Sequence, residues 1–434
     1  MGANFELATK VLAALFVVLA ATRACGRLAL LVGQPRVVGE IVAGVLLGPS
    51  VAGTLVPGVQ EYVFSADVKS VLYALSTFGL ALFMFLVGAS LDHGFVTKPA
   101  VRKATVLAVS GIVPSFALGA AVAAVFYDRL SLPGVSELQL LLFLGGALSI
   151  TAFPVVARIL DERGLSNTRI GSLTLVAAAV DDAVAWGILA VIIALAKAGD
   201  ASGAVVTIAG AAVFAGLMLT VGRRLLARLA RRVESDGELR PPTFAVILLV
   251  VIAASWFTDF IGVFSVFGGF VTGLAMPQNP VLRRELLTRL MDFNAILLLP
   301  VFFALSGLNT RLSGLADAEV LVPLTTIVAA AFAGKYVGCG LTVRLQGFSW
   351  RYASAIGGLM NARGLMILVF INIGLAYRLI TPQLFSMLVV VAVLTTAAAV
   401  PIYRLSMPKH IEDAEKWTPT STEFLPATAR DSHA

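Results

Sequence analysis

The apolar runs in this chain constrain its fold more than any other feature. One of them, "LTLVAAAVDDAVAWGILAVIIALAK" (173–197), is as long as a helix that crosses a bilayer. Thirteen such segments lie near 6–30, 37–56, 68–91, 100–126, 138–160, 168–197, 202–230, 241–258, 259–276, 291–309, 320–343, 351–376 and 383–404. Composition agrees: 59% of residues are hydrophobic and 13% charged, where soluble domains carry about 25% charged residues. The expectation is an all-α polytopic membrane protein with about 13 transmembrane helices. Residues 1–404 form its membrane domain and 405–434 a short polar cytoplasmic tail.

The net charge of +7 follows from where the basic residues sit, and it does not imply a nucleic-acid partner. With the N-terminus outside, 24 of the 32 Lys and Arg fall on the cytoplasmic side, in stretches such as "DHGFVTKPAVRK" and "GRRLLARLARRVESDGELR". Six fall on the other side, and Lys335 and Arg363 remain inside apolar segments. Basic loops stay cytoplasmic, so the C-terminus is expected there. The run "RRLLARLARR" is expected at the membrane surface, against anionic lipid. The N-terminus lacks a basic stretch before its apolar run, so the first helix is expected to be retained.

Several function classes are disfavoured. Cys25 and Cys339 have no metal-ligand neighbours and read as small apolar fillers. His93, His410 and His433 fall in a loop and the tail, which disfavours a histidine metal site in the membrane. No cofactor is expected.

The polar residues inside apolar segments carry the chemistry. Asp181 and Asp182 are adjacent in the middle of a spanning segment. One ionised acid at the bilayer centre costs roughly 2.5–3.5 kcal/mol by insertion measurements, a cost that a lipid-facing helix has no reason to carry. Neighbours on a helix point about 100° apart, so one acid can meet a partner helix while the other faces a cavity. Two close buried carboxylates disfavour each other's charge. A proton and a cation then become alternative ways of neutralising one of them, which is exchange in its simplest form. Lys335 lies well inside its segment and is the candidate partner for an aspartate.

Two segments look broken. In "GGALSITAFPVVARIL" glycines precede Ser149, Thr151 and Pro154. In "IGGLMNARGLMILVFINIG" Asn361, Arg363 and Gly364 interrupt the apolar run. Discontinuous helices at the midplane offer free backbone groups and half-helix ends to an ion. Glu40 reads as a cap or ion pair, Asp92 and Asp259 as interfacial. Asn294 and Asn309 are further polar positions. The halves also echo one another in order: "VAGVLLGPS" with "VTGLAMPQN", "LFMFLVGASLD" with "VFFALSGLNT", and "GGALSITAFPVVAR" with "GGLMNARGLMILVF". An odd helix count between equivalent starts inverts the second copy. The expectation is therefore two inverted five-helix repeats, about 37–197 and 259–404.

Six motifs in order, "QPRVVGEIVAGVLLGPS", "FLVGASLD", "ITAFPVVARILDERGL", "AAAVDDAVAW", "PVFFALSGL" and "GLMNARGLMILVFINIG", resemble the monovalent cation:proton antiporter-2 family over about residues 30–404. Bacterial sodium/proton antiporters, germination antiporters and plant cation/proton exchangers belong to it. The resemblance implies the sodium/proton antiporter fold, in which two unwound helices cross, and a homodimer. It also implies exchange of Na+ or K+ for protons by an elevator motion in the inner membrane. By the same resemblance, Asp182 is the main ion and proton carboxylate and Asp181 the variable first acid. Lys335 matches the lysine of electrogenic members. Ser149, Thr151, Asn361 and Arg363 line the site. With so short a tail, no nucleotide-binding regulatory domain is expected.

Competing readings fit less well. An organic-solute or anion symporter on the same fold calls for more cationic groups in its cavity. An intramembrane aspartyl protease needs its two acids on different helices around one water. A passive channel needs no acid able to exchange a proton. The protein is expected to be a transporter and not an enzyme. A reporter fused after Ala434 should behave as cytoplasmic. Labelling of that tail by an impermeant reagent on intact cells would contradict the orientation.

Overall fold

The computed structural model describes all residues except 1, 91–97, 166–167, 199–200, 263, 313–314, 316, 410–411 and 414–434. Asp92 and the three histidines lie outside the described residues. The described chain is helical throughout. Ten of its helices are long and apolar enough to cross a membrane, so the protein is a multi-pass membrane protein. The segments expected at 138–160, 259–276 and 351–376 are not among those ten. They hold the shorter helices Glu137–Ser149, Ser265–Ala275 and Gly364–Ala376, and two of the three are the segments that carry the polar interruptions.

Contacts divide the chain into two units. The first comprises Met1–Ala24, Val42–Gly94 and Ala190–Leu308. Its centre is the helix Ala66–Ser90, packed on Ser265–Ala275 and on Leu299–Leu308. Close approach follows from small residues on both helices. A Cβ added at Gly269 would meet the Ala81 carbonyl, and one added at Gly273 would meet the Phe85 carbonyl. The basic helix Arg223–Asp236 belongs to this unit. It buries Leu226, Ala230 and Val233, one stripe at helical spacing, and ends at Gly237 in the left-handed conformation. Asn294 opens a π-helical turn, and its Nδ2 donates to the Gly79 carbonyl at 2.9 Å.

The second unit comprises Cys25–Ile41, Phe95–Leu189 and Asn309–Ala434. The helix Lys98–Val125 packs against both Glu137–Ser149 and Ala318–Leu345, and Trp350–Leu359 packs against Ala318–Leu345 and Pro382–Ser406. Starts are written into the sequence. Ser136 and Gln139 form a capping box for the helix at Glu137. Thr381 caps Leu384 ahead of Pro382. The first tail residues are part of the fold, since Glu412 is buried and pairs with Arg163 at 2.9 Å.

The glycine packing in the first unit can be tested. Gly273→Ala forces a Cβ against backbone and should cost about 1–3 kcal/mol, as overpacking of a tight contact does. Gly58→Ala, with nothing within 4 Å of its new Cβ, should leave the melting temperature in detergent unchanged. Equal behaviour of the two variants would refute the close approach.

Candidate functional site

The site is built where two helices of the second unit come apart. The helix Glu137–Ser149 ends at Ile150, which is extended, and helix resumes as Phe153–Glu162. The helix Trp350–Leu359 ends near Met360, and helix resumes as Gly364–Ala376. Gly364 has a φ of +31°, and a Cβ there would strike the Val155 side chain, so glycine is required by both conformation and space.

Each break satisfies the backbone of the other. The Ala152 N–H donates to the Ala362 carbonyl at 2.8 Å. The Thr151 hydroxyl donates to the Met360 carbonyl at 2.8 Å. Backbone outside a helix survives at membrane depth only when protein groups pair with it, and here the partner of one break is the other.

The acids lie on the long helix Arg169–Ala198, and both are buried. Oδ2 of Asp181 accepts from the Thr151 N–H at 2.7 Å and from Lys335 Nζ at 2.7 Å. Lys335, on Ala318–Leu345, also donates to the Ser149 carbonyl, the last of its half-helix. Lys335 has no exposed surface and does not reach out to the membrane surface. Gly111 gives it room: a Cβ there would lie 3.2 Å from Lys335 Cδ and 2.6 Å from Cys339 Sγ.

Asp182 is held differently. Neither of its carboxylate oxygens has a hydrogen-bond partner among the described residues. The backbone donor near it is the Phe153 N–H, at the start of the second half-helix. Free N–H groups at a helix start favour negative charge.

Arg363 is fully buried. Its guanidinium donates to the carbonyls of Ala147 and Leu148, in the last turn of the first half-helix, and to that of Ala331. Asn361 donates to the Gly357 carbonyl at 2.9 Å, and its Oδ1 is buried without a partner among the described residues. Ser149 donates to the Gly146 carbonyl at 2.8 Å. Thus Asp181, Lys335, Ser149 and Thr151 form one bonded group. Arg363 and Asn361 serve the backbone of the breaks. Two residues of the site went unnoticed in the sequence. Gly111 looks like any glycine of a membrane helix. Thr396 accepts from the N–H groups of Arg363 and Gly364 at 3.2 Å each, and its only signal is a Thr-Thr pair inside an apolar run.

The arrangement leaves one buried carboxylate, Asp182, short of positive partners, beside a second whose charge Lys335 already balances. Such a group suits a proton or a bare monovalent cation. Comparisons with known proteins agree in kind. The profile described as sodium/hydrogen exchanger, transmembrane, matches residues 12–403. The chain is 38% identical over 393 residues to the Na(+)/H(+) antiporter NhaS4 of Synechocystis, covering 90% of this chain and 96% of that one. It is 37% identical to cation/H(+) antiporter 19 of Arabidopsis thaliana and 30% identical to K(+)/H(+) antiporter 1 of Saccharomyces cerevisiae. It spans 46% and 44% of the length of those two relatives. In fold it resembles the sodium proton antiporter MjNhaP1 of Methanocaldococcus jannaschii, with a TM-score of 0.65 and 13% identity over 95% of this chain and 100% of that one. With the broken-helix fold and the family profile in agreement over nearly its whole length, this chain belongs to the monovalent cation:proton antiporters of the sodium/hydrogen exchanger transmembrane family.

Proposed function

We propose that the chain exchanges a monovalent cation, Na+ or K+, for protons across the membrane. The observation that carries this reading is the Asp182 carboxylate, buried and without a hydrogen-bond partner among the described residues, next to an aspartate already paired with lysine. An isolated buried charge is too costly to persist. Asp182 therefore holds either a proton or a cation, and arrival of one releases the other. Asp181 with Lys335 forms a second, switchable pair. When it opens, Asp181 can join the cation's coordination, with Thr151 and Ser149 nearby and the crossing's backbone carbonyls as further oxygen ligands.

The rest of the reading follows from the same features. The protein is a transporter with no catalytic step of its own. Alternating access is an elevator movement of the body that carries the crossing, and the working form is a homodimer in a lipid bilayer. The interrupted segments at 138–160 and 351–376 support the inverted repeats 37–197 and 259–404. The split of basic residues supports a C-terminus in the cytoplasm and residence in the inner membrane. The cyanobacterial relative's name points to Na+, the yeast relative's to K+.

Asp182→Asn should abolish Na+- or K+-dependent proton release from proteoliposomes while the protein keeps its elution profile and melting temperature. Robust exchange by that variant would remove the central claim.

Breaking the second pair has a different signature. Lys335→Ala leaves Asp181 buried and uncompensated, which should cost about 3–5 kcal/mol of stability. Asp181→Asn combined with Lys335→Gln should recover part of that loss in a double-mutant cycle. The double variant should lose net current on solid-supported membranes and keep electroneutral exchange through Asp182. Simple additivity of the losses, together with full current, would dissolve the partnership.

A further inference from the structure

A polar cavity in the same unit as the acids has no part in the exchange chemistry. It is about 760 Å³, within the range of small-molecule sites. It lies where the turn after the first helix, the end of Phe153–Glu162 and the end of Pro382–Ser406 come together. These are ends that the basic-loop bias assigns to the cytoplasm.

Three cations line it: Arg163, Arg404 and Lys409. One acid, Glu412, lines it as well and pairs with Arg163 at 2.9 Å. Arg163 is also stacked over the Tyr403 ring, 4.9 Å from its centroid, so its guanidinium is held on two sides. Among the described residues Arg404 and Lys409 have no acidic partner. Three cations against one acid leave the described lining with an excess of two positive charges. Leu30, Ile159, Val400 and Met407 give it an apolar wall, and Gln34 adds one neutral polar side chain.

Gly33 shapes the cavity. It has a φ of +74°, and a Cβ there would lie 2.7 Å from Arg404 Nη1. The guanidinium rests against the bare backbone of this turn, and any side chain at 33 would displace it.

We propose that this cavity binds a phosphate monoester carried on an apolar group. Such a phosphate bears about two negative charges near neutral pH, which matches the two free cations, and the apolar wall receives what the phosphate is attached to. Guanidinium and ammonium groups both bind phosphate through charge-assisted hydrogen bonds. Glu412 acts as an internal anion that keeps the third cation neutralised. Binding at this cavity is independent of whether the protein exchanges ions.

The test uses the full chain in phosphatidylcholine nanodiscs. One arm titrates n-hexyl phosphate by calorimetry, with n-hexyl sulfate as a single-charge control. The other replaces part of the phosphatidylcholine with phosphatidic acid and measures retained lipid by native mass spectrometry. Saturable binding of the phosphate above the sulfate assigns a soluble ligand, and selective retention of phosphatidic acid assigns a lipid headgroup. Either supports the site. Arg404→Gln with Lys409→Gln should weaken the positive arm at least about tenfold, from the usual worth of a hydrogen bond to a charged group. Gly33→Ala should weaken it with no charge removed, and Glu412→Gln should strengthen it. No saturable binding in either arm, or binding unchanged by the double variant, would overturn the proposal.

Discussion

An ammonium and a carboxylate 2.7 Å apart, both inside the fold, are stable only if their remaining hydrogen-bonding capacity is met. Desolvation of two charges otherwise outweighs their attraction. In this protein the missing bonds come from a helix that has come undone. The Thr151 N–H is free to reach Asp181 because Ile150 is extended and no turn of helix claims that donor. The Ser149 carbonyl is free for Lys335 for the same reason. An unbroken helix at 149–153 would use up both groups in its own ladder. The pair depends on the break, and the break depends on the second break, whose Met360 and Ala362 carbonyls accept from it. The arrangement that holds the charges is therefore cooperative, and no single element of it stands alone.

The two buried cations of this region differ in kind, and their chemistry explains their positions. Lys335 is a point charge on a flexible stem and meets one oxygen of the Asp181 carboxylate. Arg363 is a planar fork that keeps its proton, and it meets carbonyls at the C-terminal end of a half-helix, where the backbone carries partial negative charge. The guanidinium thus takes the place of the hydrogen bonds that the end of that half-helix lacks. It also holds a lasting positive charge within the unit that holds the acids. The lysine serves a carboxylate and the arginine serves the backbone.

Much of this was legible in the sequence because burial in a membrane makes charge conspicuous. Asp181, Asp182, Lys335 and Arg363 stand out in apolar runs, and Ser149, Thr151 and Asn361 mark the places where a smooth helix was not to be expected. The sequence did not say what Arg363 grips, since its partners are carbonyls of apolar stretches with no signal of their own. Gly111 was silent because its role is to be absent where Lys335 and Cys339 pass. The division into two units could not be seen, because each unit collects three separate pieces of chain. Glu412 looked like any acid in a polar tail, and only the fold brings it to Arg163.

The bond from Thr151 to Met360 joins residues 209 positions apart. At 5–20 residues per second, the ribosome makes the first break roughly 10 to 40 s before its partner. Lys335, which neutralises Asp181, also arrives 154 positions after it. During that interval a nascent chain carries unpaired backbone and two acids with no cation beside them, at a depth where lipid offers no substitute. The first five spanning segments cannot settle as a finished bundle. They must wait at the insertion machinery, or with water still among them, until Lys335 and the second break enter. The same crossed geometry thus makes assembly of this region a late event, completed only after Met360 and Ala362 have been made.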